Sequence, residues 1–381
     1  MNKDIFKSKK KETYDVVIVG AGPSGCVLAE QFASKKKYKI LILEKRNHVA
    51  GNCFDELNSK KILIHKYGPH YLRFKKKRIF NYLSKFTKWI KGNYQVKTYV
   101  DKKLFPFPVN LTTIEKFFNK KFKNVYEAKK FIEKKKIKIK KPKNSEELIL
   151  SKLGREMYEK FYKNYTLKQW NIHPSKLDKF VTGRIPIRFN RNKYYVNEKL
   201  QYMPKNGYTE MFKKMINNPL ITIKLNKDFI KFRDKLIFNK YLIYCGTPDS
   251  YFNFKLGRLK WRSLKFKFKN YKKEYIQKCV QYNFPNDFNY TRKVEIKHVT
   301  KQKSPYTTIS EEYPMSKGDP YYPIPDKKNK KIFKKYSNLI SNLKKKNIYF
   351  TGRLATYRYL NTDQVIEQAL NLYKDITGKH N

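Results

Sequence analysis

The feature that most narrows the fold is Gly20-Ala21-Gly22-Pro23-Ser24-Gly25, with glycine at its first, third and sixth places. It follows the β-rich run Tyr14–Val19 and opens Cys26–Ser34, whose apolar residues recur with helical spacing. Tyr38–Leu43 reads as a second strand, so residues 14–45 form one βαβ unit. Each glycine has its own task in such a unit. Gly20 permits the tight turn, Gly22 lets a pyrophosphate approach the backbone, and Gly25 lets helix and strand pack closely. The pyrophosphate then lies over Pro23 and Ser24 at the helix N-terminus, where free N–H groups and the helix dipole favour an anion. Glu44, with Lys45 beside it, ends the second strand where a carboxylate accepts bonds from ribose hydroxyls. The expected fold class is α/β, with a Rossmann-like dinucleotide-binding domain built from the N-terminal segment.

NAD and FAD both use this unit, and two later segments favour FAD. Ala50-Gly51-Asn52 stands just past Glu44, where a second loop would cover the dinucleotide. Tyr349-Phe350-Thr351-Gly352-Arg353 reads as a strand ending in Gly and Arg, followed by a helix at Asp363 that would close the cofactor site.

A chain of 381 residues is too long for one simple core. Residues 112–172 read as helical, with Asn144-Ser145 capping the helix that begins at Glu146-Glu147. From about 185 to 330 short β-like runs, such as Lys193–Asn197, Leu259–Phe268 and Tyr321–Pro325, predict an antiparallel sheet. Leu104–Asn110 contains two prolines and reads as a shaped loop. Ile221–Leu225, Leu242–Cys245 and 347–351 are expected to rejoin the first sheet. The expected domains are then a FAD-binding part at 1–85, completed by about 200–252 and 335–381; a small helical part at 111–182; and an antiparallel β-sheet part from 86–110, 183–199 and 253–334.

The net charge of +57 raises nucleic acid or an anionic membrane as a partner. Only 13 of the 88 basic residues are arginine, the lysines are scattered in short runs, and no nucleic-acid motif accompanies them. Solvated lysines on helix faces and loops explain the pattern, so no specific nucleic-acid partner is expected. The field would still draw in a doubly charged nucleotide sugar. Cys26, Cys53, Cys245 and Cys279 form no CxxC pair and read as buried thiols; no metal site is expected. No apolar run is long enough to span a bilayer, and the apolar run near the basic N-terminus breaks at Gly20, so a cytoplasmic protein is expected.

Taken in order, these segments resemble the UDP-galactopyranose mutase family across roughly residues 14–370. The resemblance rests on Gly20–Gly25, Glu44, Ala50-Gly51-Asn52, His65–His70, Phe105–Asn110, Asn164-Tyr165-Thr166 with Gln169-Trp170, Arg184–Arg188, Asn192–Tyr195, Gly207-Tyr208-Thr209, Tyr244–Phe252, Tyr290-Thr291-Arg292, Pro320–Pro323 and Gly352–Asn361. It implies isomerisation between UDP-galactopyranose and UDP-galactofuranose, which supplies furanose sugars for surface glycans. In that family reduced FAD is active, its N5 acting as nucleophile on the anomeric carbon, so the protein need not supply one.

By the same resemblance, Arg184 and Arg292 would grip the diphosphate, with Arg188 the alternative to Arg184. Planar guanidinium donors suit that task, and surface ion pairs are the bland reading of both. Tyr165, with Tyr162 and Trp170, would form the uridine platform, although aromatics at helical spacing are usually core. Tyr195, Tyr322 (or its neighbour Tyr321) and Tyr359 would bind phosphate; Asn110 and Asn361 would also face the substrate. His70 would lie beside the flavin, Arg353 on a FAD phosphate, Asn52 and Gly352 on the cofactor, and Asp363, Gln364 and Val365 at the flavin end. Two positions depart from the family pattern. Arg73 stands where many members have a second histidine, which admits UDP-N-acetylgalactosamine as substrate, and Asn361 stands where others have Asp. The competing readings are an amine-oxidase-like FAD oxidoreductase, a nucleic-acid or membrane-surface binder, and a catalytically dead scaffold. Family members are often dimers, so a homodimer is the quaternary state the resemblance allows.

Overall fold

The computed structural model describes residues 13–233 and 236–378. The basic N-terminal segment weighed against a secretory leader lies outside them. Tyr14–Val19 and Ile40–Leu43 pair in parallel, Val16 opposite Ile40 through Val19 opposite Leu43. Val16, Val17, Ile18, Ile40 and Ile42 are fully buried, as continuous apolar strands are in a parallel sheet covered on both faces. The five strands run in the order Ile221–Lys224, Ile40–Leu43, Tyr14–Val19, Phe238–Tyr244 and Ile348–Phe350, all parallel. The expected returns to this sheet are thus present. From Tyr14–Val19 the chain leaves to one side first and to the other side later. The carboxyl end of that central strand is therefore a topological switch point, where open α/β sheets bind ligands. The helix Pro23–Lys36 leads away from it and packs against Thr362–Thr377, the Phe32 ring lying 5.1 Å from that of Tyr373.

The second sheet has seven strands in the order Tyr322–Pro323, Trp261–Tyr271, Thr307–Met315, Arg292–Val294, Gln281–Asn283, Val96–Val100 and Lys103–Phe107. It is mixed rather than purely antiparallel, because Gln281–Asn283 and Val96–Val100 pair in parallel. The hairpin 96–107 enters from a distant part of the chain, so no short turn fixes its direction against its neighbour. Lys103–Phe107 corrects the reading of this stretch as a loop. It is the outermost strand, where the N–H that Pro106 lacks is not needed for a ladder on the open side. Lys193–Asn197 forms no strand, only one bridge between Tyr194 and Gln95.

Three asparagines start three helices of the helical part. The side chains of Asn110, Asn124 and Asn144 accept from the backbone N–H groups of Thr113, Glu127 and Glu147 and so cap Leu111–Phe118, Val125–Lys135 and Ser145–Leu153. A nearly continuous helix follows from Arg155 to Trp170, with one wide π turn at Glu159–Lys163.

Two elements cross the expected domain boundaries. Trp89–Lys91 pairs with Leu200–Pro204 in a small sheet that also holds Leu72–Phe74, so this sheet crosses the expected boundary at 85. The helix Lys327–Leu343 spans the expected boundary at 334. Its start was hidden by its lysines; Asp326 caps it and it buries Tyr336. Among the described residues no helix is long and apolar enough to cross a membrane, and no group of three His, Cys, Asp or Glu is placed to hold a metal.

Candidate active site

A cavity of about 370 Å³ lies at the switch point, lined by both glycine loops, the ends of the parallel strands and the turn at Gly352-Arg353. Its glycines do different work. A Cβ on Gly25 would sit 1.9 Å from the Gly20 carbonyl oxygen, so the turn itself demands glycine there. A Cβ on Gly22 would meet only Gly51 Cα at 3.8 Å, an ordinary contact, so nothing in the protein forbids a side chain there. Gly22 keeps open the space above it. Gly51, at φ 54°, closes down on Gly22, and the Ala50 N–H donates to the Ala21 carbonyl at 2.8 Å.

Glu44 is buried and ties this floor together. Its Oε2 accepts from the Ala21 N–H at 2.8 Å and its Oε1 from the Arg46 N–H at 2.9 Å. An ionised carboxylate can accept about four bonds, which leaves capacity toward the cavity. Lys45 lines the wall with a largely exposed side chain. Asn52 Oδ1 accepts from Arg46 at 2.9 Å. Arg46 lies 4.4 Å over the Tyr67 ring and pairs with Asp319 at 2.8 Å. Sequence reasoning missed Arg46, although it directly follows Glu44-Lys45.

Ser24 Oγ and two guanidinium nitrogens of Arg353, Nε and Nη2, are buried without a partner, and both residues line the cavity. Donors left bare beside a glycine cradle and a helix N-terminus fit a pyrophosphate-bearing dinucleotide.

His70 lines the same cavity. Its Nδ1 lies 2.9 Å from the Gly68 carbonyl oxygen, which can only accept, so Nδ1 carries the proton and Nε2 is an acceptor. Burial, helped by His65, brings its pKa down to about 3, so the ring is neutral near pH 7. Val365 and Thr362 bring the last helix to the wall, while Asp363 and Gln364 are not among the lining residues. Gln364 Oε1 instead accepts from the Asn361 N–H at 2.9 Å in a capping box. Asp363 is buried with one carboxylate oxygen unpartnered, and burial raises its pKa.

A second cavity, about 80 Å³, adjoins it. It gathers Tyr162 from the π turn, Tyr165 and Trp170 from the helix after it, Arg184 from the segment that follows, Tyr195, Arg292 from the seven-stranded sheet, and Tyr322 and Tyr359. Tyr322 and Tyr359 stack with centroids 5.3 Å apart. Arg184 lies 4.1 Å over the Tyr359 ring. From the side of the larger cavity, Arg353 lies 4.8 Å and 4.7 Å from the same two rings. Arg353 and this tyrosine pair thus form the wall between the cavities. Burial alone would raise the Tyr359 phenol, but Arg184, Arg353 and Arg292 overcome it and bring it to about 8.

Arg292 Nε pairs with Glu312 at 3.1 Å. Glu312 is fully buried, and burial pushes its carboxyl up against the pull of Arg292. Sequence reasoning missed Glu312. Only the register that sets it opposite Arg292 across two strands reveals it. Thr166 and Gln169, which belong to the motif quoted for the resemblance, also line this cavity, as do Thr98, Thr182 and Asn283, which carried no signal of their own.

Three candidates lie outside it. Asn110 is buried, accepts from Thr113 and donates to the Asn192 carbonyl, so its side chain is committed to a helix cap. Arg188 is buried and donates to Tyr194 and Asn197, which removes it as a substitute for Arg184. Asn361 caps the last helix and accepts from Arg73 at 3.0 Å. The two departures from the family pattern thus bond to each other, and Arg73 lines neither cavity.

Comparison with known proteins gives these cavities a context. The family model described as UDP-galactopyranose mutase matches residues 160–359, and one described as NAD(P)-binding Rossmann-like domain matches residues 18–86. A probable UDP-galactopyranose mutase of Klebsiella pneumoniae is 36% identical over 93% of both chains. A UDP-galactopyranose mutase of Mycoplasma genitalium is 35% identical over 93% of this chain and 92% of its own. In fold, the chain matches a crystal structure of reduced UDP-galactopyranose mutase with a TM-score of 0.75, at 16% identity over 96% of both chains. On the extent of these matches, the chain belongs to the UDP-galactopyranose mutase family of isomerases.

Proposed function

We propose that this protein interconverts UDP-galactopyranose and UDP-galactofuranose with FAD in its larger cavity and the nucleotide sugar in its smaller one. The observation that carries the reading is the shared wall. Arg353 lines the dinucleotide cavity, carries two buried guanidinium nitrogens without a partner, and lies against Tyr322 and Tyr359 of the other. A cofactor and a substrate held on either side would meet at that wall.

Gly20, Gly22, Pro23, Ser24, Gly25, Glu44, Asn52, Gly352 and Arg353 would hold the FAD, with neutral His70 presenting Nε2 as an acceptor. When bound and reduced, the flavin supplies a nucleophile for the anomeric carbon. The protein's part is to bind, orient and retain. Tyr162, Tyr165 and Trp170 offer flat apolar faces to a uracil ring. Arg184 and Arg292 offer charged, planar donors to a diphosphate that must leave and return without escaping. Among the described residues, Arg184 and Arg353 have no carboxylate within ion-pair distance, so a diphosphate would be their first full counter-charge. Tyr195, Tyr322 and Tyr359 add hydroxyl donors. At about 80 Å³ the cavity is well below the ~300–1,000 Å³ of ordinary ligand pockets. Arg184 lines this space and lies over Tyr359, so withdrawal of the segment around it would make room for the sugar nucleotide.

The deciding experiment is turnover of UDP-galactofuranose, followed by chromatography, before and after dithionite reduction. Conversion to UDP-galactopyranose only after reduction is the expected result. No conversion by reduced, FAD-loaded protein would refute the reading for this sugar.

A further inference from the structure

Lys168 belongs to the helix Asn164–Trp170, which also carries Tyr165 and Trp170, yet it lies outside the cavity they line and reaches into a loop of the neighbouring sheet. Its Nζ donates to the carbonyl oxygens of Phe284 at 2.5 Å, Asp287 at 3.1 Å, Phe288 at 3.1 Å and Tyr290 at 3.3 Å. That loop joins the strands Gln281–Asn283 and Arg292–Val294, and the Phe284 N–H closes it on the Thr291 carbonyl at 2.9 Å. Arg292 begins two residues after the last carbonyl of the cage.

The loop holds a shape it would not adopt unaided. Phe288 sits at φ 59°, a left-handed conformation rare for a bulky residue unless its surroundings impose it. The residue is 58% exposed; its ring stacks on Tyr290 at 4.9 Å, and its carbonyl is turned onto the ammonium. Four carbonyls converging on one point would repel without a cation between them, and an ammonium is the side-chain group that offers three N–H donors from a single atom, one of them shared between two of the four carbonyls. Burial lowers the Lys168 pKa to about 8 while Asp287 opposes the shift, so the cation is retained near pH 7. Asn286 adds a neutral tie, bonded to Asn164 and to the Lys160 carbonyl at 3.1 Å each.

We propose that Lys168 is a positioning residue: its ammonium fixes the Phe284–Tyr290 loop and through it places Arg292 against the helix that bears Tyr165 and Trp170. The inference rests on reading the smaller cavity as the nucleotide diphosphate site.

The test compares Lys168→Met, Arg292→Ala and the double variant, all loaded with FAD, for UDP affinity by equilibrium dialysis and for kcat and KM in the reduced state. Lys168→Met is expected to weaken UDP binding and raise KM by about tenfold while kcat changes less than about threefold. In the Arg292→Ala background the same change should add less than about twofold, because the residue through which Lys168 acts is already gone. Unchanged UDP affinity in Lys168→Met, or losses that multiply in the double variant, would overturn the proposal. If Lys168→Met loses FAD or its cooperative melt, Lys168→Gln, which keeps two N–H donors, replaces it. A weakening of about threefold is then expected, and unchanged affinity overturns the proposal. A wild-type protein that fails to bind UDP would instead overturn the reading of the cavity itself.

Discussion

The two cavities are built from different material. The larger is shaped by backbone: glycines at fixed spacing, a helix N-terminus, and strand ends brought together by a parallel sheet. The smaller is shaped by side chains: aromatic rings and arginines delivered from a helix, a short segment, a strand and two loops far apart in the chain. A backbone site tolerates few changes because its sterics are local and absolute. In a side-chain site the loss of a member appears in affinity and rate, and in stability chiefly where it strands a buried partner such as Glu312. Fold and chemistry are therefore separable by mutation in the second cavity, and much less so in the first.

The sharpest way to break this contrast lies inside the glycine loop. Gly25→Val puts carbon atoms on the Gly20 carbonyl oxygen and is expected to abolish folded protein. Gly22→Val, with 3.8 Å of clearance, should give folded protein that carries no flavin, a result read from the flavin absorbance and the thermal melt. A yellow, fully loaded Gly22→Val would refute the cofactor assignment.

Arg292→Ala comes next. Turnover should fall by about two orders of magnitude or more with flavin retained. Glu312 is then left buried without its cation, at a cost of about 3–5 kcal/mol. Adding Glu312→Gln should recover much of the melting temperature but none of the turnover. Recovery of both would reduce the arginine to a structural role.

A smaller effect concerns Tyr359. Its pKa of about 8 in the folded protein lies below the usual value of 10, so the stability it contributes is full above about pH 10 and lost as pH falls through 8. Its phenolate competes with a diphosphate for the same guanidinium groups. UDP affinity should therefore drop about tenfold between pH 7 and pH 9, and Tyr359→Phe should flatten that profile. A profile unchanged by Tyr359→Phe would exclude this proton linkage.

The smallest expected effect is at Asn110. Asn110→Ala should cost about 1 kcal/mol through its lost helix cap while leaving UDP affinity unchanged. A weaker UDP complex at full stability would return Asn110 to the substrate site.

How much of this was legible follows the same division. Gly20, Gly22, Gly25 and Glu44 were readable because their steric and hydrogen-bonding demands act within one βαβ unit. Tyr165, Trp170, Arg184 and Arg292 became candidates only through the family resemblance, since a tyrosine at helical spacing or an arginine after a β run looks the same in core, surface or site. Asn110 and Asn361 were assigned to the substrate by that resemblance, whereas hydrogen bonding commits both to helix caps. Pro106 pointed to a loop because proline disfavours central strands, and a sequence does not say which strand is outermost.

The sequence by itself determined the α/β class, the dinucleotide turn and the helical insertion, because those depend on residues close along the chain. Tertiary structure alone decided that Glu312 would face Arg292, that Arg353 would stand between two cavities, and that four carbonyls would close on Lys168. Each of those contacts joins segments whose mutual approach is set by sheet register and helix packing, and no local propensity encodes that distance.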